Sequence, residues 1–140
     1  MTSDAAHGPT GPRTLTASVL FVDVVGSTAL AGKLDPEALR DVLRAYQDVC
    51  NSCVTRYGGN INQYIGDGAV AFFGYPAAHD NDAERAILAG VAILAGVREL
   101  DASRKSQGEA GLQARIGIHT GLVVIGAMSA GAADIDHAVG

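Results

Sequence analysis

The order of the predicted elements defines an α+β fold, a mostly antiparallel sheet with helices packed on one face. Three observations predict it. The chain has 140 residues, the size of one domain. Hydrophobic residues make up 48% and charged residues 18%, which is a globular composition; a disordered chain would be poorer in apolar residues and richer in charge. The elements run strand, helices, hairpin, helix, hairpin, without a simple βαβ rhythm or an internal repeat.

Residues 1–14 read as a flexible lead-in and 15–140 as one domain. Ala17 to Asp23 (ASVLFVD) is a β-rich run ending in a carboxylate, the pattern of a largely buried strand. Gly26-Ser27-Thr28 follows, then a short helix to Lys33 that Ser27 or Thr28 could cap. Asp35-Pro36-Glu37 is a helix start, with a capping Asp and Pro at the first helical position. Leu39, Val42, Leu43, Tyr46, Val49, Cys50, Cys53, Val54 and Tyr57 then recur at helical spacing and define one apolar face. Arg56 suits the negative end of that helix, and Gly58-Gly59 stops it.

Asn60 to Ile65 and Ala69 to Gly74 predict a hairpin around Gly66-Asp67-Gly68, with Tyr75-Pro76 ending its second strand. Asp80 to Leu100 predicts a second long helix, rich in Ala and Gly that allow close approach. Ala102 to Gly111 reads as a polar loop. Gln113 to His119 and Leu122 to Ala127 read as a further hairpin around Thr120-Gly121. After Met128 the chain is small and rich in Gly and Ala.

Composition excludes several classes. The formal charge of -5 argues against a bulk electrostatic nucleic-acid binder, which needs clustered Lys and Arg. The longest near-apolar run, Ile87 to Val97, falls well short of the about 20 residues of a membrane span. The polar start is unlike a secretory signal, so cytoplasm is the expected location. Cys50 and Cys53 stand late in a helical pattern. A redox pair uses a helix N-terminus, and a zinc site needs a second ligand pair that is missing, so both read as reduced, packed thiols.

Three features carry chemistry. In Phe21-Val22-Asp23-Val24-Val25-Gly26-Ser27-Thr28 a carboxylate ends a buried strand and a turn opens a helix. Asp suits a divalent cation, and free N–H groups at the turn suit phosphate oxygens. Gly66-Asp67-Gly68 projects a second carboxylate from a hairpin tip. Were the two strands neighbours, Asp23 and Asp67 would converge beside a phosphate-friendly turn, the parts of a two-metal phosphoryl-transfer site. Either Asp alone is ordinary turn chemistry.

These blocks, with Tyr64 to Gly74 and Arg115-Ile116-Gly117-Ile118-His119-Thr120-Gly121, resemble the class III adenylate/guanylate cyclase catalytic domain in order and spacing, from about Leu15 to the end of the chain. The stretch Phe73 to Pro76 with Asp80 to Ala86 is similar to bacterial members, often fused to ATPase or regulatory domains. The resemblance implies a ferredoxin-like sheet, incomplete at the C-terminus. It implies that Asp23 and Asp67 bind two Mg²⁺ or Mn²⁺ ions, with the Val24 carbonyl as a further ligand. Backbone N–H groups of Val25, Gly26, Ser27 and Thr28 would hold the β- and γ-phosphates of a nucleoside triphosphate. The product would be the 3′,5′-cyclic nucleotide, with release of pyrophosphate, for intracellular signalling. The site of this family lies between two catalytic domains, so a homodimer is implied.

Two departures stand out. The purine-reading position four residues before the second Asp is Lys in adenylate cyclases of this family and Gln63 here. An amide donates and accepts, so it meets either purine. Its usual partner position falls near Asp136 or His137. The Asn-x-x-x-Arg block that orients the ribose would begin beyond Gly140, so the chain resembles the front three-quarters of the domain and is expected to be nearly inactive alone. The alternatives are a degenerate cyclase-homology module that binds nucleotide or a partner without chemistry, and a small binding domain whose turns mimic the motif.

Other side chains read as structural. Asp80, Asp82 and Glu84 suit a helix start. His79 and His119 read as structural or solvent-bonded, with His119 at a strand end, and Arg115 reads as a structural ion pair. His7 and His137 lack context. The Tyr46 and Tyr57 face reads as core or dimer surface, since no basic groove accompanies it.

Overall fold

The computed structural model describes residues 13–125. The elements are β1 (Arg13–Val25), α1 (Ser27–Lys33), α2 (Pro36–Arg56), β2 (Asn60–Ile65), β3 (Gly68–Phe73), α3 (Asp82–Ser106) and β4 (Gln113–Ile125). The sheet order is β2-β3-β1-β4, and every neighbouring pair is antiparallel. Both crossovers are helical: α1 and α2 link β1 to β2, and α3 links β3 to β4. This interleaving is the ferredoxin-like arrangement.

The helices cover one face, as the sequence predicts. Leu20, Val22 and Val24 of β1 and Ala69, Ala71 and Phe73 of β3 pack with Val42, Tyr46, Cys50 and Val54 of α2 and Ala86, Ala89, Ile93 and Val97 of α3. The other sheet face carries a smaller cluster of Ala17, Val19, Val70, Phe72 and Val123. β3 is buried along its whole length because it lies between β2 and β1 under the helices.

The start of α2 follows its sequence signal. The Asp35 side chain accepts a hydrogen bond from the Ala38 N–H at 2.7 Å, and Pro36 occupies the first turn. At its end Gly58 takes φ +82°, and the Gly59 N–H reaches back to the Val54 carbonyl at 2.9 Å. The small residues of α3 allow close packing: a Cβ at Gly96 would lie 2.7 Å from Val49 Cγ1 of α2.

Several expectations need correction. β1 begins at Arg13, so the lead-in gives way to strand before residue 15; Arg13 and Thr14 pair with Ile125 and Val124. The second hairpin does not form. Gln113 to Ile125 is one strand paired with β1 along its whole length. Thr120-Gly121 lies inside it, without a positive φ at Gly121, and the Thr120 and Ser18 hydroxyls bond across the ladder at 2.7 Å. His119 is therefore mid-strand. The third helix runs from Asp82 to Ser106, not Asp80 to Leu100, and shortens the polar loop. Its last turns are held by Arg104 Nε donating to the Ala110 carbonyl at 2.7 Å and by Asp101 accepting from the Leu112 N–H at 2.9 Å. The cap of α1 is Gly26, in the left-handed region, with no side-chain cap from Ser27 or Thr28.

The Asp80–Glu84 stretch is structural, as predicted. Asn81 holds the N-cap position of α3 without a side-chain cap bond, its Oδ1 accepting from Arg85 Nε at 2.8 Å, and Asp82 accepts from the His79 N–H at 2.8 Å. Both cysteines are free and buried. Among the described residues no helix is long and apolar enough to cross a membrane. His7, Ala127, Asp136 and His137 lie outside the described residues.

Candidate active site

Asp23 sits near the C-terminal end of β1, one residue beyond the Val22–Ala69 pair with β3. Asp67 sits in the turn from β2 to β3. Pairing of β1 with β3 brings that turn to the end of β1. Gly68 is the residue that lets them meet: a Cβ there would lie 2.9 Å from the Val22 carbonyl oxygen and 3.6 Å from Asp23 Oδ1. Any side chain would push the turn, and Asp67 with it, away from β1. The predicted convergence of the two aspartates is therefore a matter of strand register.

The phosphate-friendly turn is at the same end. Gly26 has φ +72°, a conformation that favours glycine, and its carbonyl accepts from the Leu30 N–H at 3.0 Å to open α1. Val24 is buried on the helix-covered face, and Val25 is exposed at the strand end. Ser27 and Thr28 line an open cleft of about 400 Å³ together with Gly66 and Asp67, floored by Leu30, Ala31, Leu39 and Leu43.

Beneath the site lies Tyr46 of α2, with no exposed surface. Its hydroxyl is buried and finds no well-formed hydrogen bond among the described residues. Burial raises the phenol well above its ordinary range, the neighbouring Cys50 thiol adds to this, and the negative charges of Asp23 and Asp67 add further. Both carboxylates thus act on one buried group. Burial likewise pushes the Cys50 thiol up to about 12, partly offset by Tyr46. Both groups are neutral at physiological pH.

Arg115 belongs to the site. The β1–β4 register sets it opposite Asp23, and its Nη2 lies 3.6 Å from Asp23 Oδ2. The expected ion pair therefore forms, and its partner is a site carboxylate. The side chains are 70% and 49% exposed, so the pair contributes less than about 1 kcal/mol and opens readily. The signal for Arg115 is its cross-strand register, which the expected hairpin conceals.

Gln63 stands apart. It lies on β2 opposite Val70, two residues before the strand ends at Ile65 and four before Asp67 in the turn. Its side of the sheet is the one without helices.

Among the described residues no group of three or more His, Cys, Asp or Glu is placed to hold a metal by itself. Asp23 and Asp67 are a pair of hard oxygen donors at an open sheet end. That donor set fits Mg²⁺ or Mn²⁺, which fill their remaining positions with water and substrate phosphate.

Residues 11–136 match the family described as the adenylate and guanylate cyclase catalytic domain. The chain belongs to that family. It is 27% identical over 113 residues to Adenylate cyclase 1 of Rhizobium meliloti (strain 1021), a match covering 81% of this chain and 17% of that protein. It is 34% identical over 107 residues to Adenylate cyclase 2 of the same strain, covering 75% of this chain and 28% of that protein. The chain thus spans a minor part of these relatives. Among solved structures, the guanylyl cyclase Cya2 is similar at TM-score 0.78 and 33% identity, over 84% of this chain and 59% of that one. The adenylyl cyclase CyaB from P. aeruginosa is similar at TM-score 0.77 and 32% identity, over 82% and 60%.

Proposed function

We propose that this chain is part of a metal-dependent purine nucleotide cyclase, converting ATP or GTP into the 3′,5′-cyclic nucleotide and pyrophosphate for intracellular signalling. The observation that carries this reading is the approach of the Asp67 turn to Asp23, made possible by Gly68, beside the Ser27–Thr28 cleft. Two Mg²⁺ or Mn²⁺ ions, when bound, would lower the pKa of the ribose 3′-hydroxyl and offset charge on the leaving group.

Asp23 and Asp67 would hold those ions, with the Val24 carbonyl as a further oxygen ligand. The N–H groups of Val25, Gly26, Ser27 and Thr28 would bind the β- and γ-phosphates. The ribose 3′-oxygen attacks the α-phosphorus in line, its proton leaves, and the bond to the pyrophosphate oxygen breaks. Arg115 supplies a positive charge beside Asp23. The Arg115 guanidinium, paired loosely with Asp23 here, would be available to a triphosphate, whose oxygens suit its fork of donors. Gln63 would meet the purine edge, without a fixed choice between ATP and GTP.

The family resemblance supports a homodimer, a cytoplasmic location and fusion to regulatory or ATPase domains. Asp23→Ala in a version carrying the complete domain is expected to abolish cyclic nucleotide formation, assayed with Mn²⁺ and ATP or GTP. Unchanged turnover would sink the metal assignment. Gln63 favours one second reading, a nucleotide-binding module without chemistry. Metal-dependent nucleotide binding with no cyclic product from the complete domain would select it.

A further inference from the structure

The outer face of α3 is apolar where a surface helix is ordinarily charged. From Ala86 to Val97 (AILAGVAILAGV) the helix carries no polar side chain. Its inner residues Ala86, Ala89, Gly90, Ile93 and Val97 are buried. On the opposite face Ile87 is 55%, Leu88 41% and Val91 61% exposed. A helix that is apolar all round is ordinarily covered all round. Single exposed leucines are common, but a contiguous apolar face marks a contact. The cleft of Ser27, Thr28 and Asp67 takes no residue from this face.

The charges at the two ends of this face are matched. Glu84 and Arg98 are exposed, and neither takes part in an ion pair among the described residues. Glu84, Val91 and Arg98 follow one another at intervals of seven, so they fall on nearly one line along the helix. Val91 is the most exposed of the large apolar residues and stands midway between the acid and the base. A two-fold axis through Val91 lays the helix antiparallel against a second copy of itself. Glu84 of each copy then meets Arg98 of the other, and Ile87, Leu88 and Val91 fill the centre beside the small, exposed Ala95.

We propose that the outer face of α3 is a contact between two copies of this chain, distinct from the pairing across the active site that the family resemblance implies. The same patch serves both copies, so the contact closes on itself. A parallel arrangement would set Glu84 against Glu84 and Arg98 against Arg98; the charges therefore select the antiparallel one. A single helix crossing buries less than the about 1,200 Å² of a standard interface. The contact is weak alone and strengthens where copies are already held together by another interface. Used with a second interface, it joins pairs into a larger assembly.

The test is sedimentation equilibrium of the 140-residue chain at low salt, at concentrations up to about 1 mM. The wild-type chain is expected to self-associate. Glu84→Arg and Arg98→Glu are each expected to weaken association roughly 5- to 30-fold, and the double variant is expected to restore it. Val91→Lys, which sets two like charges against each other on the axis, is expected to remove the α3 contact with the thermal midpoint kept. A second measurement reads the axis itself. Cys50 and Cys53 are buried, so an introduced surface thiol is the reactive one. On oxidation with diamide, Val91→Cys is expected to cross-link to itself faster than Ala102→Cys, which lies on the same helix away from the axis.

Association that neither the charge reversals nor Val91→Lys alters would place the pairing elsewhere on the molecule and overturn the α3 contact. So would a wild-type chain that stays monomeric while Val91→Cys cross-links no faster than Ala102→Cys; the apolar face would then belong to a different partner. Weakening by both single reversals without rescue in the double variant would overturn the antiparallel pairing of Glu84 with Arg98. None of these outcomes bears on the cyclase reading, which stands or falls on Asp23 and Asp67.

Discussion

At the scale of single residues, the chain separates groups that bear charge from groups held neutral. Asp23 and Arg115 stand in solvent at the sheet end, while Tyr46, Cys50 and Cys53 sit in the layer beneath. Burial raises Cys50 from 9.0 to about 12 and raises Cys53 in the same direction, the latter partly offset by Arg56. A thiol with a raised folded pKa binds its proton more tightly in the native state. The stability it contributes is complete below the unfolded value and is lost as pH rises toward the folded one. The urea midpoint is therefore expected to fall between about pH 9 and pH 12. Below that window, native-state thiols should react slowly with a disulfide reagent and quickly in denaturant. Fast labelling of the folded chain at pH 7.5 would contradict the packed-thiol assignment. This neutrality was legible in the position of both cysteines on an apolar helix face. The pairing of Arg115 with Asp23 was not, because it depends on a ladder between segments far apart in the chain.

At the scale of elements, packing sets the outcome where local propensity is ambiguous. Gly96 brings α3 against Val49 of α2, whose χ1 is stiff in a helix. Gly96→Ala gains about 1 kcal/mol in helix propensity, yet forces a Cβ to 2.7 Å from Val49 Cγ1. Overpacking of this kind costs about 1–3 kcal/mol. A net loss of about 1 kcal/mol is expected in chemical denaturation, and a gain in stability would show that the helices part without cost. Local signals predicted α2 well because its cap, apolar stripe and glycine stop are all contained in the segment itself. They failed at β4, where Thr120-Gly121 has turn chemistry but the thirteen-residue ladder to β1 overrides it. They also fell short at the end of α3, where Arg104 and Asp101 hold turns that composition alone assigns to a loop. The turn carrying Asp67 was predictable because a two-residue connection with flanking glycines has few other solutions.

At the scale of the whole molecule, β1 is the organising element, paired with β3 on one side and β4 on the other. Its partners in β4 lie about a hundred residues away in sequence, from Val25 with Gln113 to Arg13 with Ile125. Closing so long a loop is entropically slow relative to helix formation. Refolding followed by stopped-flow is expected in the millisecond-to-second range of mixed and β-rich domains. Microsecond refolding would show that the β1–β4 ladder lies outside the rate-limiting step. The sequence predicted the layers of this architecture but not its closure, since the order of strands in a sheet is a property of distant pairs.

That closure also shapes how the protein comes into being on the ribosome. β1 is made early and β4 a hundred residues later, so at about 5–20 residues per second the nascent β1 waits on the order of ten seconds for its outer neighbour. Throughout that interval Leu15, Ala17, Val19 and Phe21 belong to a strand with an open flank. On a crowded polysome the nearest available strand is the same segment of an adjacent chain, which makes the early nascent protein a natural client for chaperones that bind extended apolar segments.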